Sequence, residues 1–231
     1  MGWVMSKITD AIAWFKKEFG TQVAPSVQNT PFSLDMVTAI AMQETYYVWG
    51  NFYKTMAVAE LLKICVGDTI DAPGRSAFPK NKAELLTRPK GDKMFEVARA
   101  ALVSVGQHNA AYGEIAHMNP NKFCHGYGIV QYDLQFFKTE PDFFLNQQWY
   151  DFDKCMEKCA KELKAALGRA YRPSKASLTH DEMVYVAIAY NKGSVDTTKG
   201  FAQGYRDSSG KYYGQQIDEY LKLAEATPAA A

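Results

Sequence analysis

The sequence predicts a mainly α-helical protein that carries one small β element. Along most of the 231-residue chain, apolar residues recur at the spacing of an amphipathic helix. The stretch from His117 to Tyr132 departs from that pattern, because it holds one proline and two glycines and ends in the β-prone pair Ile129-Val130. This stretch therefore predicts a loop with a short strand or hairpin.

The helices are predicted in order from this periodicity and from their capping residues. The first should cover about 6–19 and stop at Gly20, and Ser33 should cap a second helix that reaches about Thr45. The segment from Gly67 to Pro79, which contains Asp71-Ala72-Pro73-Gly74, predicts a loop. The remaining predicted helices cover about 55–66, 81–87, 92–116, 151–167, 180–191 and 213–224. Residues 1–30 are predicted as an N-terminal helix and linker, and 31–231 as one compact domain.

The charge balance and hydropathy argue against two classes of partner. The 26 basic and 25 acidic residues leave a formal net charge of +1, without the basic excess that nucleic-acid binding requires. No apolar run reaches the roughly 18 residues of a membrane-spanning helix, so stable membrane insertion is not expected. The first helix could pack on the domain or lie on a membrane surface. It carries no apolar core typical of a secretory signal.

The four cysteines do not predict a metal centre. They stand at positions 65, 124, 155 and 159, and their spacing matches no recognised zinc site. A chain of this length does not need disulfides to fold, although the even number would permit two. We expect neither a metal nor another cofactor.

Glu44 is the first candidate for chemistry. It stands at the end of the apolar helical run Ala39-Ile40-Ala41-Met42. A carboxyl group flanked by apolar side chains is desolvated, which raises its pKa, and a raised pKa suits a general acid in glycoside cleavage. Taken alone the pattern is weak, since most glutamates that follow apolar runs lie at a helix surface.

Two further segments could hold a ligand. In Gly126-Tyr127-Gly128-Ile129-Val130-Gln131, the glycines would let the backbone approach a ligand closely, and Gln131 could donate to and accept from a sugar. In Ala189-Tyr190-Asn191-Lys192-Gly193, an aromatic ring and an amide stand at a helix end that Gly193 would stop. Taken alone, each segment is more typical of an ordinary structural feature, a tight turn into a strand for the first and a capped helix end for the second.

The order of these segments resembles that of the goose-type lysozymes and soluble lytic transglycosylases. That family shows Glu-Ser, then Gly-Leu-Met-Gln, then Ala-Tyr-Asn-Ala-Gly, and the resemblance here spans roughly residues 33–224. Tyr213, followed by Ile217 on a helix, resembles the family's late tyrosine before its closing helix. Its hydroxyl is expected to lie within hydrogen-bond reach of the Glu44 carboxyl and to help orient it. The resemblance implies a lysozyme-like helical domain with the β element near its cleft. It also implies substrate contacts by Gly128, Gln131, Tyr190, Asn191 and Tyr213.

Three residues and one spacing depart from the family pattern. Thr45 replaces the serine but keeps a hydroxyl, Val130 replaces a larger side chain, and Lys192 replaces a small residue. The long separation between Glu44 and Gly128 implies an insertion around 67–92.

The activity that the resemblance implies is cleavage of the β-1,4 bond between N-acetylmuramic acid and N-acetylglucosamine in peptidoglycan, with Glu44 as the general acid. Asp133 resembles the aspartate of the goose-type pattern Gly-Leu-Met-Gln-x-Asp, which favours a hydrolase with Asp133 as the base that activates water. A lytic transglycosylase, in which a hydroxyl of the substrate attacks, needs no such base. Asp133 could equally cap a helix that starts near Leu134.

Other classes of protein remain as alternatives. A non-catalytic glycan-binding module would keep an aromatic cleft, and a helical interaction protein could carry the motifs by accident. Because peptidoglycan lies outside the cytoplasmic membrane, the chain would act in the periplasm or cell wall. It would arrive there by a phage, by a secretion system, or as part of a longer protein. An antibacterial toxin of this kind would require an inhibitor or immunity protein in its producer.

Overall fold

A computed structural model describes the backbone of residues 2–69, 75–171 and 175–230. The helices within these ranges are α1 (Gly2–Val27), α2 (Leu34–Trp49), α3 (Val58–Ile64), α4 (Lys82–Leu86), α5 (Gly91–Gly106), α6 (Ala110–Met118), α7 (Pro141–Leu145), α8 (Phe152–Ala170), α9 (His180–Lys192) and α10 (Tyr213–Ala226). The strands are β1 (Val66–Thr69), β2 (Cys124–Tyr127) and β3 (Tyr132–Asp133). The mainly α class with a small β element is therefore confirmed.

Contacts along the chain divide it into two compact units. The helical unit comprises Met1–Glu44 and Met156–Ala231, and the sheet unit comprises Thr45–Cys155. The divisions fall inside α2 and α8. Residues 1–30 and 31–44 thus belong to one and the same unit.

In the helical unit, Lys16 joins α1 to α2 and to the end of α10. Its buried ammonium group donates to the carbonyl oxygens of Ala224 and Thr227 at 2.5 and 2.6 Å, and it pairs with Asp35 at 2.5 Å. A cation suits the C-terminal end of a helix, where backbone carbonyls lack helical partners. The apolar core of this unit includes Phe15, Phe19, Met36, Ile40, Leu163, Val184, Ile188, Ile217 and Leu221.

In the sheet unit, the three strands form an antiparallel sheet in the order β1-β2-β3. Gly67 of β1 lies opposite Gly126 of β2, which in turn lies opposite Asp133 of β3. Tyr127 is buried below the sheet, and its ring contacts Phe144 and Trp149. Buried aromatic contacts therefore hold the end of β2, from which the loop to β3 begins.

Several predicted element boundaries were wrong. Helix α1 does not stop at Gly20 but continues to Val27, because the buried side chain of Val23 packs in the core and keeps the helix in place beyond the glycine. The predicted helix over 92–116 is two helices, because the side chain of Asn109 accepts hydrogen bonds from Ala111 and Tyr112 and starts α6 anew.

The predicted loop after α3 was also wrong in part, since it contains β1. This strand pairs with β2, and the pairing holds Val66–Thr69 extended although the segment contains glycine and aspartate. Residues 70–74, which include the predicted turn Asp71-Ala72-Pro73-Gly74, lie outside the described residues. The pair Ile129-Val130 forms the turn of a hairpin rather than a strand. In the part of the chain that the structure describes, no helix is both long and apolar enough to span a bilayer.

Candidate active site

Glu44 receives a hydrogen bond from Tyr213 within the helical unit. The Tyr213 hydroxyl donates to Glu44 Oε1 at 2.8 Å, although 169 positions separate the two residues in the sequence. Tyr213 is 2% exposed, and Glu44 is half-buried at the end of the buried run from Ala39 to Met42. The predicted proximity of Tyr213 to the Glu44 carboxyl is confirmed.

The loop before α10 fixes Tyr213 in this position. The backbone N–H of Tyr213 donates to the carbonyl of Tyr205 at 2.7 Å, and that of Gly214 donates to the carbonyl of Gln203 at 3.1 Å. Gly204 adopts φ +89°, and a β-carbon there would lie 2.7 Å from Cβ of Tyr213. Only glycine fits this close approach without strain.

Tyr190 belongs to the same cluster through Cys159. Its hydroxyl donates to the buried Cys159 thiol, and the charge of Glu44 acts on both groups. Burial, followed by the neighbouring thiol and the Glu44 carboxylate, raises the pKa of Tyr190 well above 10. Burial and Glu44 raise the pKa of Tyr213 in the same way, and burial raises the pKa of Cys159 to about 12. All three groups therefore keep their protons at neutral pH, and both tyrosines can donate hydrogen bonds.

Asn191 lies one residue further along α9, at the exposed end of the helix. Gly193 ends that helix as predicted, with φ +77° and its N–H donating to the carbonyl of Ala189 at 3.0 Å. Asn191 Oδ1 faces Gly204, where a β-carbon would lie 3.3 Å away. Its contact with a substrate stays a prediction.

In the sheet unit, Thr45 near the end of α2 forms a hydrogen bond with the turn of the β2–β3 hairpin. Its buried hydroxyl donates to the carbonyl of Ile129 at 2.6 Å and accepts from Trp49 Nε1 at 3.1 Å. A hydroxyl at position 45 is thus needed to complete a buried hydrogen-bond chain. The hydroxyl of Thr45 is therefore used in contacts within the protein.

Gln131 lies over two glycines of the sheet. Its side chain donates from Nε2 to the carbonyl of Gly128 at 2.9 Å. Its Oε1 occupies the space where a β-carbon of Gly126 would be, and a β-carbon on Gly67 would lie 2.8 Å from the same atom. Gly128 has φ +79°, and a β-carbon there would meet the Cys155 sulfur at 2.5 Å. Neighbouring protein atoms occupy the space beside each of these glycines, which is sufficient to explain why a glycine stands at each position. The contact of Gly128 with a substrate stays a prediction.

Asp133 is held by three donors. Arg75 Nη2 donates to both carboxylate oxygens, at 3.0 and 2.9 Å, and His125 Nδ1 lies 3.1 Å from Oδ2. The backbone N–H of Gln135 donates to Oδ1 at 2.7 Å, so Asp133 caps the 3-10 turn Leu134–Lys138. Burial alone would raise the pKa of Asp133. The hydrogen bond and charge of His125, the charge of Arg75 and the Gln135 N–H together hold it below 3.8.

His125 connects this carboxylate to the arginine from the other side. Its Nε2 lies 3.3 Å from Arg75 Nη1 and its Nδ1 lies 3.1 Å from Asp133 Oδ2, so the imidazole ring contacts both charged groups. Arg75, His125 and Cys159 were not among the sequence candidates. Their partners lie 58, 8 and 31 positions away, and no local pattern marks these pairs.

Comparisons with known proteins identify no relative, since no family model, no curated protein and no solved structure matches the chain. Within the described ranges, the four cysteines are buried and form no disulfide, and no group of three or more His, Cys, Asp or Glu side chains could hold a metal ion. The side chains that could support chemistry lie around Glu44 in the helical unit and at the β2–β3 hairpin in the sheet unit. Whether Gln131 lines the same cleft as Glu44 stays a prediction.

Proposed function

We propose that this protein cleaves the glycan strands of peptidoglycan, with Glu44 as the general acid. The hydrogen bond from Tyr213 to Glu44 is the observation that carries the proposal. A general acid must be held in one orientation, and the buried Tyr213 hydroxyl, whose pKa is raised, holds one oxygen of the Glu44 carboxyl. The substrate class comes from the resemblance, because the three sequence motifs occur in the order seen in the goose-type lysozymes and soluble lytic transglycosylases.

In this mechanism Glu44 donates its proton to the glycosidic oxygen as the C–O bond breaks. General acid catalysis of this kind contributes about 10²–10⁴-fold to the rate. Tyr213 fixes the carboxyl group and does not itself exchange a proton, because its pKa lies far above neutral.

A lytic transglycosylase is the second candidate beside the hydrolase, because the hydrogen bonds that Asp133 accepts argue against its acting as a base. A base that activates water needs a lone pair directed at that water, and each Asp133 oxygen already accepts two hydrogen bonds. In the transglycosylase a hydroxyl of the muramic residue attacks the anomeric carbon. Its proton returns to the Glu44 carboxylate, and the product is an anhydro sugar. No second carboxylate is needed for that sequence of steps.

Digestion of purified peptidoglycan tests the proposal. Glu44→Gln should lower the rate by roughly 100-fold or more, with circular dichroism as the folding control. Glu18→Gln, which removes an exposed carboxyl from α1, should behave as the wild-type protein. Wild-type lysis by a folded Glu44→Gln protein would rule the proposal out. Mass spectrometry of the products separates reducing ends from anhydro ends, which are lighter by one water.

A further inference from the structure

Two tyrosines of the sheet unit form a surface that the proposed chemistry does not use. Tyr47, in the last turn of α2, is 45% exposed, and its ring lies nearly parallel to that of Tyr112 on α6, at 16° and 6.3 Å. Their hydroxyls are 2.9 Å apart, and the Tyr112 hydroxyl also accepts from the backbone N–H of Asp68 at 3.2 Å. The two rings thus present aromatic area to solvent, and hydrogen bonds hold their hydroxyl groups in place.

This surface is continuous with the predicted sugar-binding amide. Gly67 and Gly126 lie opposite each other in the sheet, and together they form a notch without side chains. The Tyr47 hydroxyl and Gln131 Oε1 both occupy the space beside Gly67, and Gln131 Oε1 also fills the space beside Gly126. The notch therefore brings a phenol and an amide to one place.

The backbone at this notch is strained. Gln131 adopts φ +56°, in the left-handed region that residues other than glycine, asparagine and aspartate rarely enter. Asp68 adopts φ +47°, a conformation that aspartate tolerates. Glycine would adopt the Gln131 conformation at lower cost. Strain of this kind is concentrated at sites that bind ligands.

We propose that Tyr47, Tyr112 and Gln131 form a subsite for an uncharged N-acetylhexosamine ring of the glycan. The inference rests on the proposed function, which supplies the glycan. A pyranose ring offers C–H groups to an aromatic face and hydroxyl or acetamido groups to a phenol and an amide. The exposed carboxylate of Asp68, whose side chain is 71% exposed, stands beside the notch and disfavours an anionic sugar. The subsite therefore takes N-acetylglucosamine rather than muramic acid.

Titration of the Glu44→Gln protein with tetra-N-acetylchitotetraose tests the subsite without turnover. Calorimetry should show that adding Tyr47→Ala weakens binding about tenfold or more, because the aromatic surface is lost. Tyr47→Phe keeps the ring and removes only the hydroxyl, and should weaken binding by about threefold. Tyr150→Ala, which removes another exposed tyrosine of the sheet unit, should leave binding unchanged.

Nuclear Overhauser effects between Tyr47 ring protons and sugar protons provide a second measurement on the folded Glu44→Gln protein, should Tyr47→Ala fail to fold. Unchanged binding by Tyr47→Ala, or no binding of the tetramer by folded Glu44→Gln, overturns the subsite. The failures are distinguishable: a Glu44→Gln protein that still cleaves peptidoglycan contradicts the proposed function, whereas unaltered binding by Tyr47→Ala contradicts only the subsite.

Discussion

The partners of a carboxylate decide which chemistry it can perform, and the two candidate carboxylates differ in this respect. Glu44 was predicted from an apolar run and a motif, and the sequence order also predicted its contact with Tyr213. Asp133 was predicted from the same kind of motif. The donors that surround it could not be predicted, because Arg75 reaches it from a distant part of the chain.

Replacement of Asp133 by asparagine should affect stability more than chemistry. The amide cannot accept all four hydrogen bonds, and it leaves the charge of Arg75, whose side chain is 15% exposed, without its anion. We expect a loss of about 2–3 kcal/mol in the free energy of unfolding, measured with urea, and product ends that match those of the wild-type digest. A stable Asp133→Asn protein without activity, together with reducing ends in the wild-type digest, would instead assign Asp133 as the base.

Replacement of Tyr213 by phenylalanine should lower kcat by about tenfold and leave the fold intact. The change removes only the hydroxyl that orients the Glu44 carboxyl, and a lost hydrogen bond to a charged group costs about 1.5–3 kcal/mol. Tyr205→Phe, which alters a tyrosine that is 69% exposed, is the matched control. Equal kcat values for the two variants in a soluble-glycan assay would show that Tyr213 does not position the acid.

At the scale of elements, helices with strong local signals were predicted well and paired elements were not. Helix α9 begins at a capping box of Thr179 and Glu182 and ends at Gly193, and all three signals are local. Strand β1 has weak β propensity, and its structure depends on pairing with β2 across more than fifty residues. Sequence periodicity therefore predicts elements with local signals, such as α9, and misses elements that depend on distant pairing, such as β1.

Helices α9 and α10 are joined by a pH-dependent contact. His180 lies 2.9 Å from Glu225 and 2.8 Å from Asp218. Burial would lower the pKa of His180, but the two carboxylates raise it above 6.5. The stabilisation is therefore fully present below pH about 6.5 and is lost as the pH rises through the higher folded-state pKa.

His180→Gln should accordingly cost about 1 kcal/mol in the free energy of unfolding at pH 6 and much less at pH 9. Urea unfolding at both pH values measures the difference. His117→Gln, at an exposed position on α6, is the control and should change the free energy of unfolding by less than about 0.5 kcal/mol. A His180→Gln effect of the same size at both pH values would contradict the charged contact.

At the scale of the whole molecule, the sequence predicted the class of fold but not its division into units. The unit boundaries fall inside α2 and α8, where no linker, glycine or proline marks them. The helical unit is built from the two ends of the chain, and its closure depends on contacts between residues about two hundred positions apart. Local patterns carry no information on such contacts.

Replacing Lys16 tests whether contacts between the two ends of the chain stabilise the helical unit. The Lys16 ammonium group joins α1 to the last carbonyls of α10, 208 and 211 positions away, and to Asp35. Lys16→Met keeps most of the buried aliphatic stem but leaves two carbonyls and a carboxylate without this donor. We expect a loss of about 3 kcal/mol in the free energy of unfolding. Lys17→Met, at the exposed neighbouring position, should change stability by less than about 0.5 kcal/mol. If both variants unfold at the same urea concentration as the wild-type protein, the buried lysine does not hold the two ends of the chain together.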